Sequence, residues 1–486
     1  MKKKRMEIVL SAGLALAFSL IFYAFNTPLG ASIGSDNAMY LTLGTALANG
    51  YAPYTQIFDH KGPLLYLLQA VPQILSGGYS TLAVFIQEAV VLFACLMVLR
   101  AMAREMGVSA WGVQLFYLAL ICSLTGGGNL TEEYTSLPTL LALYTALRAF
   151  GGEKPKEKLF APAMLMGACA TAAFMLRANN AMPVGALVFV LALGLAFTRR
   201  FALLGQCAAG FALGMLIVGA PILLWLWAEG SLSAAWYGAI VHNMMYTETG
   251  DGSRAAMLLT SGYGHAALLM AAVSCAGAWV VMKKRHAPLL GAAMVAAAAA
   301  GGAAAFLSHK FYDHYLILGA PLAALGMASI LSTLSKPRIR QAGLCVLTVC
   351  CGLWLGVQSV KTNEWRLSER QDLKQFTQDA QTLMAQVPQD ERGHFMAYRV
   401  EPRWYVAAEA LPCMRFYFLQ EILAQADPAV MDEIVATFES DPPHWLVIYY
   451  NREFYPPYDA RVAEIFETKY EFVDAAGQYQ LLRLKE

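Results

Sequence analysis

The chain has 486 residues, 58% of them hydrophobic and only 14% charged, against about 45–50% and about 25% in ordinary soluble domains. A soluble core cannot absorb that much apolar surface, so a purely soluble enzyme is excluded and a polytopic membrane protein is indicated. The formal net charge of +1 removes any electrostatic case for a nucleic-acid partner.

The charges are spread unevenly. Residues 361–486 carry 13 Lys/Arg and 21 Asp/Glu, a net of −8, whereas the first 360 carry 22 and 13. Composition therefore divides the chain into a membrane domain, 1–360, and a water-soluble domain, 361–486. Of the nine cysteines only Cys413 falls in the soluble part; the others lie in or beside apolar runs, where Cys behaves as a small hydrophobe. There is no CxxC pair or His/Cys cluster of the kind that builds zinc or redox sites, so the soluble domain is expected to stand without disulfides.

A spanning helix needs about 20 mostly apolar residues. Eleven such runs are read near 7–27, 81–103, 110–126, 136–150, 159–178, 181–198, 202–228, 264–282, 287–307, 315–334 and 341–360, the fourth being short. With the N-terminus in the cytoplasm, 18 of the 22 basic residues before position 361 fall on the inner side, and only Lys61, Arg177, Arg254 and Lys310 fall outside. The positive-inside rule supports that orientation, and eleven crossings then place the C-terminal domain outside the cytoplasm. The opening Met-Lys-Lys-Lys-Arg is read as leading an uncleaved first helix, because the run is long enough to span and it lacks an obvious A-x-A cleavage site at its end. No internal repeat points to a transporter built from two halves.

The first outer loop, 28–80, is semi-apolar. It is expected to hold a helix over Asn37–Asn49, broken at Gly50 and Pro53, and a second from Pro63 to about Leu75 with a kink at Pro72. Two helices lying along the membrane surface would form a platform there. Farther on, the 229–263 loop carries His242, Tyr246, Glu248, Asp251 and Arg254, and the 308–314 loop groups His309, Lys310, Asp313 and His314.

Several residues at this outer face have chemistry. Asp36, in Gly34-Ser35-Asp36-Asn37, is either an N-cap for the next helix or a carboxylate base at the membrane interface. In Phe58-Asp59-His60-Lys61-Gly62-Pro63 the lysine stands beside a Gly-Pro helix start, an arrangement that suits a phosphate; the alternative is a solvated turn. Glu132 and Glu133 either point to water or bind hydroxyl groups. Arg177, in Arg177-Ala-Asn179-Asn180, either snorkels or grips a phosphate with its planar fork. Asp313-His314-Tyr315 offers an interfacial aromatic belt or a substrate contact. Glu88, inside the second apolar run, is an ionisable group at a costly position, either functional or protonated and bonded to a neighbouring helix.

The C-terminal domain reads as mixed α/β. Strands are expected at Phe395–Arg399, Met414–Phe418, Trp445–Tyr450 and Gln478–Leu484, with helices at Asp427–Phe438 and Asp459–Tyr470. It holds no catalytic constellation, and its expected role is acceptor contact or covering a membrane cavity.

Taken in order, Asp36, then Gly50-Tyr51-Ala52-Pro53-Tyr54, then Phe58-Asp59-His60-Lys61-Gly62-Pro63-Leu64, this sequence resembles the polyprenyl-phosphate-dependent glycosyltransferases of the GT-C fold. It is most similar to the bacterial relatives of protein O-mannosyltransferases and to the lipid A aminoarabinose transferases. Thr131-Glu132-Glu133-Tyr134, Arg177–Asn180 and Asp313–Tyr315 are looser matches to the same group. The resemblance implies an integral plasma-membrane hexosyl- or pentosyltransferase acting at the cell envelope, with an extracytoplasmic polymer, lipid or protein as acceptor. It implies Asp36 as catalytic base, Lys61 and Arg177 on the donor phosphate, and inversion at the sugar. Tyr54, Asp59, His60, Glu132, Glu133, Asn180, His314 and Tyr315 are the substrate-binding candidates. His60 stands where the aminoarabinose transferases carry a metal-binding glutamate, and Asn37 follows Asp36 where the family often has a second acid. A divalent metal is therefore left open and not required. A flippase of lipid-linked sugars would place its charges at midmembrane instead, and a ligase of whole lipid-linked glycans is the nearer enzymatic alternative.

Overall fold

The computed structural model describes residues 2–30, 34–247, 253–307, 311–449 and 459–486. Glu248, Asp251, His309 and Lys310 lie outside the described residues, as do the side chains of Tyr246 and Arg254. The chain forms two compact units: Met1–Leu29, Phe85–Trp225 and Gly250–Glu364 make the first, and Gly30–Val84, Leu226–Thr249 and Trp365–Glu486 the second.

The first unit is helical. A helix stands at each of the eleven expected runs, and eight of the described helices are long and apolar enough to cross a membrane. Ala110–Ile121 and Phe160–Leu176 are apolar but shorter. The short run near 136–150 is the C-terminal part of a full helix, Thr131–Phe150. The best-buried element starts as a 3-10 helix at Asp313–Gly319 and continues as Ala320–Ser332, with Tyr315–Leu318 and Leu322–Leu325 buried. It packs against Gly262–Lys284 with almost no side chain between them: a Cβ on Gly277 would meet the Cα of Gly326 at 2.2 Å. Small residues permit such approach between helices in lipid, where close packing replaces the hydrophobic drive. By contrast Phe201–Ala228 leaves Leu216, Ile217, Leu224 and Trp227 exposed. Apolar side chains in that number on one helix suit contact with hydrocarbon, and the protein is an integral membrane protein.

The second unit joins three stretches of sequence. Helices Ser35–Ala48 and Pro63–Ser76 pack together, the second with Pro63 at its first turn and Pro72 inside it. The C-terminal part contributes a four-stranded sheet of β1 (Phe395–Tyr398), β2 (Trp445–Tyr449), β3 (Tyr470–Ala476) and β4 (Tyr479–Leu484), in the order β1-β2-β4-β3. The β1–β2 pair is parallel and the other two are antiparallel. Helices Ala429–Ser440 and Ala460–Lys469 follow the sequence reading to within two residues.

Two strand expectations need correction. Met414–Phe418 is not a strand; its apolar residues are buried in an irregular segment whose Arg415 carbonyl accepts the N–H of Phe58 at 3.0 Å. β3 was not expected, and its largely exposed burial pattern explains why its sequence lacks clear alternation.

Candidate functional site

In the second unit the residues between helices Ser35–Ala48 and Pro63–Ser76 form a buried turn. Gly50 and Pro53 end the first helix, Tyr54 takes a left-handed conformation (φ 61°), and Gly62-Pro63 opens the next helix. The Tyr54 hydroxyl donates to the Lys61 carbonyl at 2.7 Å. The Tyr66 hydroxyl accepts the Asp59 N–H at 2.7 Å and donates to the Asp59 carbonyl at 3.0 Å. Asn243 caps the His60 carbonyl at 2.7 Å. The backbone is thus tied on both sides of three buried polar side chains.

Those side chains form a compact charge cluster. Lys61 Nζ lies 3.5 Å and His60 Nδ1 3.2 Å from Asp59 Oδ1, and Lys61 Nζ is 3.2 Å from His60 Nε2. Burial by itself would raise the Asp59 carboxyl, but the Lys61 ammonium and the His60 ring hold it well below the usual carboxylate range. The His60 ring thus stands between the two charges, with Nδ1 toward Asp59 and Nε2 toward Lys61. The Lys61 ammonium also lies 5.7 Å from the ring centroid of Tyr40.

Asp36 is not a helix cap. Gly34 is the N-cap of Ser35–Ala48, no side chain closes that end, and Asp36 sits exposed in the first turn. Its neighbour Asn37 is buried. Tyr40, whose ring lies near Lys61, is one turn further along the same face as Asp36, and helical side chains lean back toward the N-terminus. Asp36 and Lys61 therefore share one side of this helix.

The first unit has its own polar cluster. Glu132 and Arg177 are both buried and pair at 3.1 Å, while Arg177 also donates to the Tyr315 hydroxyl at 3.0 Å. The guanidinium stacks over the Tyr315 ring at 4.6 Å. Thr131 Oγ1 donates to Glu132 Oε2 at 2.9 Å, and Asn180 Nδ2 donates to Thr135 Oγ1 at 3.0 Å. His314 is half-buried with its ring 4.7 Å from that of Tyr315. So Glu132 does not point to water and Arg177 does not snorkel. Glu133 is also buried, and its Oε2 accepts the Leu130 N–H at 3.0 Å at the helix start.

Glu88 is held by a neighbouring helix end. Its carboxylate accepts from Asn26 Nδ2 at 2.9 Å and from the Asn129 N–H. Gly126, Gly127, Gly128 and Asn129 all have positive φ, and a Cβ on Gly128 would lie 2.5 Å from Glu88 Oε1. The glycine run thus lets the backbone wrap the carboxylate.

The sequence reading missed Arg415 and Asn243, which fix the Lys61 turn, and Tyr40 and Tyr66, which line it. The signal for Arg415 was available: it is a single arginine inside an apolar run. Among the described residues no group of three or more His, Cys, Asp and Glu side chains is arranged to hold a metal ion.

No family model and no curated relative matches the sequence. Solved structures do. ArnT from Cupriavidus metallidurans bound to undecaprenyl phosphate is similar over 98% of this chain and 97% of that one, with a TM-score of 0.63 at 15% identity. The same protein in the apo state matches over equal shares with a TM-score of 0.58 at 14% identity. The archaeal oligosaccharyltransferase AglB from Archaeoglobus fulgidus, in complex with an inhibitory peptide and a dolichol-phosphate, matches 93% of this chain and 70% of that one, with a TM-score of 0.54 at 12% identity. The chain therefore has the GT-C fold, a polytopic helical membrane protein with a C-terminal α/β part.

Proposed function

We propose that the chain is a glycosyltransferase that moves a sugar from a polyprenyl-phosphate donor to an acceptor hydroxyl outside the cytoplasm, inverting the anomeric centre. The observation that carries this reading is the buried Asp59-His60-Lys61 turn, which presents one ammonium at a helix start on the same side as the exposed carboxylate of Asp36. Support comes from the whole-length likeness to ArnT, a structure that holds undecaprenyl phosphate.

In the reaction the acceptor oxygen forms a bond to the anomeric carbon while the bond from that carbon to the phosphate oxygen breaks. Asp36 takes the acceptor proton, a role typically worth about 10²–10⁴-fold. The electron pair leaves with the polyprenyl phosphate, whose growing charge Lys61 stabilises. Asp59 and His60 balance the lysine before the donor arrives, and Tyr54 holds its backbone. Arg177 ranks second as a phosphate contact, because Glu132 already takes up its charge. No carboxylate is needed as leaving-group acid, which separates this chemistry from a glycosidase pair.

The test is transfer from radiolabelled polyprenyl-phosphate sugars by the wild type, Asp36→Asn and Lys61→Ala, each first shown to insert and fold. Loss of transfer in Asp36→Asn at preserved donor binding, with weaker donor use in Lys61→Ala, supports both roles. Full transfer by Asp36→Asn removes the base from this position. Transfer only from pyrophosphate-linked oligosaccharides replaces the reading with a glycan ligase. The orientation, with N-terminus inside and residues 361–486 outside, is checked by labelling Asp474→Cys on intact cells with a membrane-impermeant maleimide.

A further inference from the structure

Within the first unit, at the other end of the helices from Glu132 and Glu88, lies a cavity of about 870 Å³. Arg104 lines it and stands 16 residues after Glu88 on the same helix, Thr81–Glu105, which places it about 24 Å away along the axis. The volume is in the range of ligand sites, typically about 300–1,000 Å³. Its lining is two-sided: Glu7, Arg104 and Arg340 supply charge, and Trp111, Leu331 and Leu344 supply apolar surface.

The charges do not cancel. Glu7 is held by Arg104 at 2.6 Å and by Arg100 at 3.1 Å. Arg340 is exposed in the first turn of Pro337–Met384 and has no ion pair among the described residues. Arg104 and Arg340 thus line the cavity against one carboxylate, which Arg100 also shares, so this end is net positive. The helix Ala110–Ile121 also begins at the cavity, and its N-cap Ser109 makes no side-chain cap bond. Trp111 is 37% exposed, although apolar helix neighbours surround it.

We propose that this cavity binds one anionic glycerophospholipid from the leaflet at the basic end of the membrane domain, the cytoplasmic one in the orientation given above. An anionic phosphodiester is complementary to that net positive lining. Its headgroup lies between Arg340 and Arg104, and an acyl chain runs along Trp111, Leu331 and Leu344. Basic pockets between spanning helices on the positive side bind acidic lipid headgroups on the same grounds. The site is separate from the proposed transfer chemistry, so it stands or falls by itself.

The full-length protein is placed in nanodiscs of phosphatidylcholine containing a minor share of phosphatidylglycerol with brominated chains. Bromine quenching assigned to Trp111, as the difference between wild type and Trp111→Phe, reports the chain. Native mass spectrometry after delipidation reports the retained headgroup. The expected result is one retained phosphatidylglycerol and quenching of Trp111. In Arg340→Gln both should fall at least about fivefold, the roughly 1 kcal/mol that one basic side chain contributes to acidic-lipid attraction. Arg338→Gln, an exposed neighbour outside the lining, should leave both unchanged. Equal loss in Arg338→Gln, or equal retention of phosphatidylcholine by the wild type, overturns the proposal in favour of diffuse surface charge. Displacement of the lipid by millimolar inorganic phosphate overturns it in favour of a free-anion site. The wild-type lipid comparison needs no variant, so a variant that fails to fold does not remove the test.

Discussion

Arg415 Nε donates to the main-chain carbonyl of Tyr54 at 2.6 Å, while the carbonyl of Arg415 accepts the N–H of Phe58 at 3.0 Å. Its guanidinium also pairs with both carboxylate oxygens of Glu433 and lies over Phe58 and Phe416 at 5.1 and 4.7 Å. One residue of the C-terminal segment thus brackets the loop that carries Lys61. Charge-assisted bonds of this kind contribute about 1.5–3 kcal/mol. Arg415→Ala should speed amide exchange across residues 53–62 by about tenfold or more and raise the donor KM more than it lowers kcat. Arg415→Lys should not rescue it, because an ammonium lacks the planar fork. An unchanged exchange rate would show that the loop holds itself.

Asp59 supplies a pH dependence whose sign follows from its environment. The folded chain keeps this carboxyl ionised to lower pH than its ordinary value of 3.8, with burial opposing and Lys61 and His60 prevailing. Its contribution to stability is therefore complete above that ordinary value and is lost as pH falls below it. Asp59→Asn leaves a buried lysine without its carboxylate, a change that typically costs about 3–5 kcal/mol. The stability gap between wild type and Asp59→Asn should narrow as pH falls below about 4. Thermal unfolding in detergent measures it. A gap that widens with acid would place the stabilising charge elsewhere.

The Glu132–Arg177 pair calls for a different design. Both side chains are buried, so removing one leaves the other charge unpaired, at about 3–5 kcal/mol. Arg177→Met alone should be strongly destabilising. Glu132→Gln with Arg177→Met should recover most of that loss, since apolar or neutral replacement of a buried pair is often neutral. Activity then separates the roles. If the stable double variant still transfers sugar with the wild-type donor KM, Arg177 serves the fold; a raised donor KM in a stable protein assigns it to the phosphate.

Much of the fold was legible because membrane helices announce themselves by length and apolarity. The helix at each of the eleven runs and the Gly62-Pro63 helix start follow from local chemistry. What sequence could not supply was pairing across distance. Whether Glu132 and Glu133 point to water or bind hydroxyl groups stayed open in the sequence because nothing local reveals Arg177, 45 residues on from Glu132. Met414–Phe418 looked like a strand because five apolar or aromatic-flanked residues suit one, yet they are buried against the 53–58 loop instead. The cap reading of Asp36, the alternative to a base, fails because the helix begins two residues earlier than a cap at that position allows. The Lys61 turn was visible as a motif; its burial, its tyrosine ties and its clamp by Arg415 were not.

Asp36 offers the cleanest separation of structure from chemistry. An N-cap aspartate replaced by a poorer residue costs about 0.5–2 kcal/mol, but Asp36 is exposed, lies inside the first turn and caps nothing. Asp36→Ala should therefore change stability by about 0.5 kcal/mol or less, the usual range for surface substitutions and small helix-dipole effects. If it is the base, the same variant should lose about 10²–10⁴-fold in the transfer step while donor binding holds. Thermal unfolding and single-turnover transfer on one preparation decide between them. A variant that loses stability and activity together would make Asp36 part of the helix start after all. One that keeps both would send the search for the base to another exposed carboxylate.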